Sequence, residues 1–122
     1  MEKTILIDGR PVTFKSSGAF LTRYKAQFGR DGMKDIFTLL PFVKKYQHLL
    51  DKDDLTDEEG IELAQAMDTD MFERFAWTLA KCANPSLPDP ATWLNEFESY
   101  PIFEIIGEIH ELIFASIGFS KK

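Results

Sequence analysis

The chain has 122 residues, 44% of them hydrophobic and 28% charged, a balance that points to one globular domain and argues against whole-chain disorder. Its formal net charge of -6 opposes a dedicated nucleic-acid binder, and no apolar run approaches the ~20 residues needed to span a bilayer. The single cysteine, Cys82, cannot form an internal disulfide, and the start Met1-Glu2-Lys3-Thr4 lacks a long apolar signal region, so an intracellular protein without a membrane role is expected.

In chain order, "TILIDGRPVTF" reads as a β-hairpin. Two β-prone runs, Thr4 to Ile7 and Pro11 to Phe14, flank Asp8-Gly9, a pair suited to a turn with positive φ. Pro11 has no amide proton, so the second strand should have an unpaired side there. From Gly18 the period changes to helical. Leu21, Tyr24 and Phe28 share one face, Gly29 stands at the C-cap position, and Asp31 is the expected N-cap of the next helix. Pro41 is expected to break or kink that helix, biasing Leu40 away from helical angles.

"DKDDLTDEEG" is an acidic linker running into a capping box, Thr56 with Glu59. One helical region is expected from there to about Ala83, burying Met71, Phe72, Phe75, Ala76 and Leu79. Asn84-Pro85 stops it, and Asp89-Pro90 starts a short helix carrying Trp93, Leu94 and Phe97. A last helix begins near Pro101, with Ile102, Ile105, Ile106, Ile109, Leu112 and Ile113 on one face and Glu104, Glu108 and Glu111 on the other. His110 is assigned to its polar half, facing solvent or hydrogen-bonded. The fold class is therefore mainly α: a single domain with a hairpin over 1–16, a helical body over 17–118 and a short tail over 119–122.

No pattern for catalysis, a cofactor, a metal or a small-molecule substrate stands out. "FGRDG" follows a helix and lacks the Lys-Ser/Thr pair of a phosphate loop, which leaves it as a joint between helices. An EF-hand counted from Asp51 would use Asp53 and Glu62, but it meets Leu55 where an oxygen ligand is needed and Thr56 where the turn needs glycine. His48, Cys82 and His110 have no metal-ligand spacing. Arg23, Lys25, Arg30 and Lys34 lie beside Tyr24 and Phe28, a grouping nucleic acid could use, but both aromatics are at core spacing.

Two features point instead to protein partners. Residues 1–45 carry nine Lys/Arg against four Asp/Glu, whereas residues 46–122 carry five against sixteen. Such asymmetry is met either by packing the two parts together within one fold or by self-association, head to tail. The eleven phenylalanines are also many for so small a core. Phe103, Phe114 and Phe119 fall off the main stripe of the last helix and are the candidate partner contacts.

The order of these segments resembles the tail assembly chaperones of long, non-contractile tailed phages and prophages of low-GC Gram-positive bacteria. The resemblance runs over nearly the whole chain and is carried by the N-terminal hairpin, by Tyr24 and Phe28-Gly29-Arg30-Asp31, and by Trp93, Leu94 and Phe97. It implies a non-enzymatic protein that coats the helical, hydrophobic tape measure protein in the host cytoplasm, helps recruit tail tube subunits, and is absent from the finished virion. It also implies a longer frameshifted form, for which Lys121-Lys122 would be compatible with a slippery adenine run. A small intracellular adaptor or regulator is the alternative that the same surface features allow.

Overall fold

The computed structural model of the chain describes residues 1–119, and its elements follow the local chemistry closely. Strands β1 (Glu2–Ile7) and β2 (Arg10–Lys15) pair antiparallel, with Ile7 opposite Arg10 and Leu6 opposite Pro11. Asp8 and Gly9 have φ of 54° and 75°, the left-handed pair that a two-residue hairpin turn requires. Because Ile7 and Arg10 close the turn, Leu6 and Pro11 form the next, non-hydrogen-bonded pair. The missing amide proton of Pro11 thus costs the ladder nothing.

Helix α1 (Phe20–Phe28) ends on Gly29, whose φ of 68° lets its amide return to the Lys25 carbonyl. Helix α2 (Gly32–Leu50) begins at once, with the Asp31 side chain accepting from the Met33 amide at 3.0 Å. Of the break or kink expected at Pro41, the break does not occur: α2 is one helix running through it. Leu39, Val43, Tyr46 and Leu49 are buried on both sides of the proline, so burial outweighs the break it favours. Pro41 itself is exposed, on the side where a carbonyl left without a partner can meet water. Pro41→Ala restores the amide without disturbing a contact in the core. It should raise stability by about 2 kcal/mol in urea unfolding; an unchanged or lower midpoint would contradict this account of α2.

The single helical region expected up to Ala83 is two helices, α3 (Asp57–Ala66) and α4 (Thr69–Ala83). Asp68 makes the break: its backbone is extended and its side chain caps the Met71 amide at 3.1 Å, starting a fresh helix. The Thr56/Glu59 capping box opens α3 as expected. Helix α5 (Pro90–Leu94) is capped by Asp89, and Phe97 lies beyond its end with its ring edge-on to Trp93 at 5.5 Å. Helix α6 (Ile102–Ser116) is the last element among the described residues.

Helix α4 is the central element, packed against β2, α1 and α6, while α2 lies along α6. Its stripe of Met71, Phe72, Phe75, Ala76 and Leu79 is buried as expected. Phe75 meets Phe20 and Tyr24 of α1 with ring centroids at 6.0 and 5.4 Å. The loop after α4 is tied back by Trp77, whose indole donates to the Pro88 carbonyl at 2.8 Å. The hairpin turn docks beyond α5, where Asp8 accepts from the Glu98 amide and Arg10 pairs with Glu96 at 2.9 Å. The fold is mainly α, with one two-stranded sheet at its N-terminus. Among the described residues no helix is long and apolar enough to cross a membrane.

Candidate partner-binding surface

The joint "FGRDG" folds around a buried carboxylate. Asp35, in the first turn of α2, accepts two hydrogen bonds from the Arg30 guanidinium at 2.8 Å each. It also accepts from the Tyr24 hydroxyl, which in turn accepts from Arg74 Nε at 2.9 Å. The Arg30 hydrogen bonds hold the Asp35 carboxyl below the usual carboxylate range. Burial, and then the bond to Asp35, push the Tyr24 hydroxyl up from 10.0 to about 12. This network joins α1, α2 and α4. Tyr24 is fully buried and Phe28 is half-buried, edge-on to Trp77, so neither ring is laid open for a base to stack on.

The three phenylalanines expected to meet partners separate. Phe114 is only 2% exposed and belongs to the core, so it is no surface anchor. Its helix is enclosed on more sides than the sequence stripe implied. Phe119 is half-buried, with its ring 5.4 Å from Phe37 and 6.0 Å from Phe114, covering the end of α6. Ser120 to Lys122, with the lysine pair on which the frameshift expectation rests, lie outside the described residues. Phe103 is half-buried at the start of α6 and faces open space on two sides.

On one side of Phe103 is a shallow groove of about 540 Å³, formed with Ile61 and Ala64 of α3 and Leu55 of the linker before it. Ile61 is 57% exposed there. The sequence reading did not single it out, because one isoleucine on a short acidic helix gives no periodic signal. On the other side is a cleft of about 570 Å³ between the end of α2, the acidic linker and α6. Leu49, Leu50 and Leu63 lie at its base but are almost wholly buried, and Asp51, Asp53, Asp54, Glu104 and Glu111 line it with carboxylates. The two lysines at its edge are already engaged, Lys3 with Glu108 at 3.3 Å and Lys52 with Glu59 at 2.8 Å.

Gly107 sets the depth of this cleft. An added Cβ there would stand 2.4 Å from the Leu50 backbone oxygen, so α6 lies against the last turn of α2 at a distance only glycine allows. His110, expected in the polar half of α6, is buried instead, with Nδ1 3.0 Å from the Ile106 carbonyl. The hydrogen-bonded alternative for this histidine is the one the fold adopts. Comparison of the chain with family models, with curated proteins and with solved structures gives no match in any of the three.

Proposed function

We propose that this chain is a non-enzymatic phage tail assembly chaperone, binding an apolar helical stretch of a tape measure protein and keeping it in solution. The observation that carries this reading is the open apolar groove of Leu55, Ile61, Ala64 and Phe103. An amphipathic helix laid in such a groove gains about 25 cal/mol per Å² of apolar surface removed from water, before the costs of association. The acidic residues around the groove keep the complex charged and soluble. The segment order resembling phage tail assembly chaperones supports the same reading. With it go the recruitment of tail tube subunits, action in the cytoplasm of the bacterial host, and absence from the mature virion.

Ile61 is the residue by which to test the groove. Its exposed side chain supports little of the fold, so Ile61→Ser should leave stability within about 0.5 kcal/mol of the parent. If the side chain anchors the partner helix, the same change weakens binding of the tape measure protein by about 1–2 kcal/mol in titration calorimetry. Unchanged affinity would remove the groove as the binding surface.

A further inference from the structure

We infer that the outer edge of β1 accepts an extended, basic segment of a partner protein as a third strand of the sheet. This goes beyond the chaperone reading and does not depend on it.

The register leaves that edge open. Ile7 and Arg10 flank the turn as a hydrogen-bonded pair, and the pattern alternates from there, so Ile5 with Val12 and Lys3 with Phe14 carry the ladder bonds. The amides and carbonyls of Glu2, Thr4 and Leu6 therefore point away from β2. All three residues are exposed, and among the described residues no turn, loop or cap backbone bonds to them. Strand β2 has Pro11 on its own outer edge, which offers no amide there, whereas β1 pairs residue for residue from Glu2 to Ile7 with neither proline nor bulge to blunt it.

What lies beside β1 sets the chemistry of the strand that fits. The Ser16 amide bonds to the Met1 carbonyl, and the next amide, of Ser17, reaches the Ser116 hydroxyl near the end of α6. Lys3 pairs with Glu108 in the middle of that helix, and Asp8 accepts from the Glu98 amide before its start. Strand β1 thus runs alongside α6 in the opposite direction. The exposed row of Glu104, Glu108 and Glu111 lies along its path, and Lys3 lines the same cleft as all three. Glu104 and Glu111 have no basic partner among the described residues.

A third strand added to β1 would direct every second side chain toward this row. Lysine or arginine at those positions complements the glutamates, and acidic residues there are repelled. The intervening side chains join Thr4 and Leu6 on the outer face, where Leu6 is 69% exposed and suits a β-branched neighbour. A second copy paired edge to edge through its own β1 would bring two rows of glutamates together. The occupant is therefore a chain of different sequence.

The probe is a synthetic peptide of about nine residues that alternates lysine with threonine. It should bind at low salt, weaken as salt rises, and slow amide exchange at Glu2, Thr4 and Leu6 at least about tenfold at saturation. Methylating one alternate set of its amide nitrogens should abolish binding, while methylating the other set leaves it. Glu104→Gln with Glu111→Gln should weaken binding at least about threefold. Thr4→Pro removes one outward amide and no ladder bond, so it should abolish binding while circular dichroism shows a folded chain. Exchange at the three amides that the peptide leaves unchanged overturns the inference. So do equal affinities for the two methylated peptides, which would mean charge attraction without strand pairing. A parent that dimerises through this edge, with the dimer lost in Thr4→Pro, overturns it too, since the occupant would then be a second copy.

Discussion

Asp35→Ala should lower the stability of the fold by about 3 kcal/mol, measured as the shift in urea unfolding. The carboxylate is the shared acceptor of Tyr24 and Arg30 and lies 3.6 Å from Arg74. Its removal leaves the buried Tyr24 hydroxyl without its acceptor and the mostly buried Arg74 guanidinium without its counter-charge, at the point where α1, α2 and α4 meet. Arg30 is half-exposed and can return to water, so Arg30→Ala should cost much less, about 1 kcal/mol. Equal losses in the two variants would show that the network acts as a surface ion pair.

The same network gives the stability a pH dependence at both ends. Asp35 is held below its ordinary value, so its contribution is complete above the unfolded carboxylate range and is lost as pH falls through the depressed folded value. Tyr24 is raised from 10.0 to about 12, so its contribution is complete below 10.0 and is lost as pH rises through the folded value. The difference in stability between the parent and Tyr24→Phe should therefore shrink across that alkaline window. A difference independent of pH would contradict the geometry of the site.

Gly107→Ala should be costly for a different reason, by about 3 kcal/mol. The added methyl would meet the Leu50 backbone oxygen at 2.4 Å, and a backbone atom cannot step aside by changing rotamer. Helix α6 would have to move away from α2, loosening the packing of Ile106, Ile109 and Ile113 and reshaping the cleft. Gly60, in the middle of α3, provides the contrast. Nothing lies within 4 Å of a Cβ placed there, so Gly60→Ala should gain up to about 1 kcal/mol from helix propensity. If the two substitutions had similar effects on the melting temperature, the close approach of α6 to α2 would be wrong.

What the sequence discloses here is what neighbouring residues decide among themselves. The Asp8-Gly9 turn, the Gly29 and Asp31 caps and the Thr56/Glu59 box are chemistry within a few residues, and each is found where the pattern puts it. Pro41 misleads because its local preference is real but smaller than the burial on either side of it. The Asp68 break between α3 and α4 could have been found, since an aspartate three residues before an apolar helix start is a capping signal. Phe114 and His110 could not be placed from the period of one helix, because α6 is covered on more than its isoleucine stripe. Gly107 and Asp35 are further still from local pattern. What makes each of them matter is an atom on another element: the Leu50 oxygen for the glycine, Tyr24 and Arg74 for the aspartate. The helix pattern makes Phe103 a candidate partner contact, but the groove it shares with Ile61 exists only once α3 lies beside α6.

The most direct test of the proposed function is co-expression with the cognate tape measure protein, followed by measurement of soluble yield and a pull-down through a tag on this chain. The account predicts a tape measure protein that is insoluble alone, soluble in the presence of this chain, and retained on the tag. Ile61→Ser should reduce that retention while the chain itself stays folded. A tape measure protein equally soluble by itself, or one that never co-purifies with the chain, would contradict the chaperone reading.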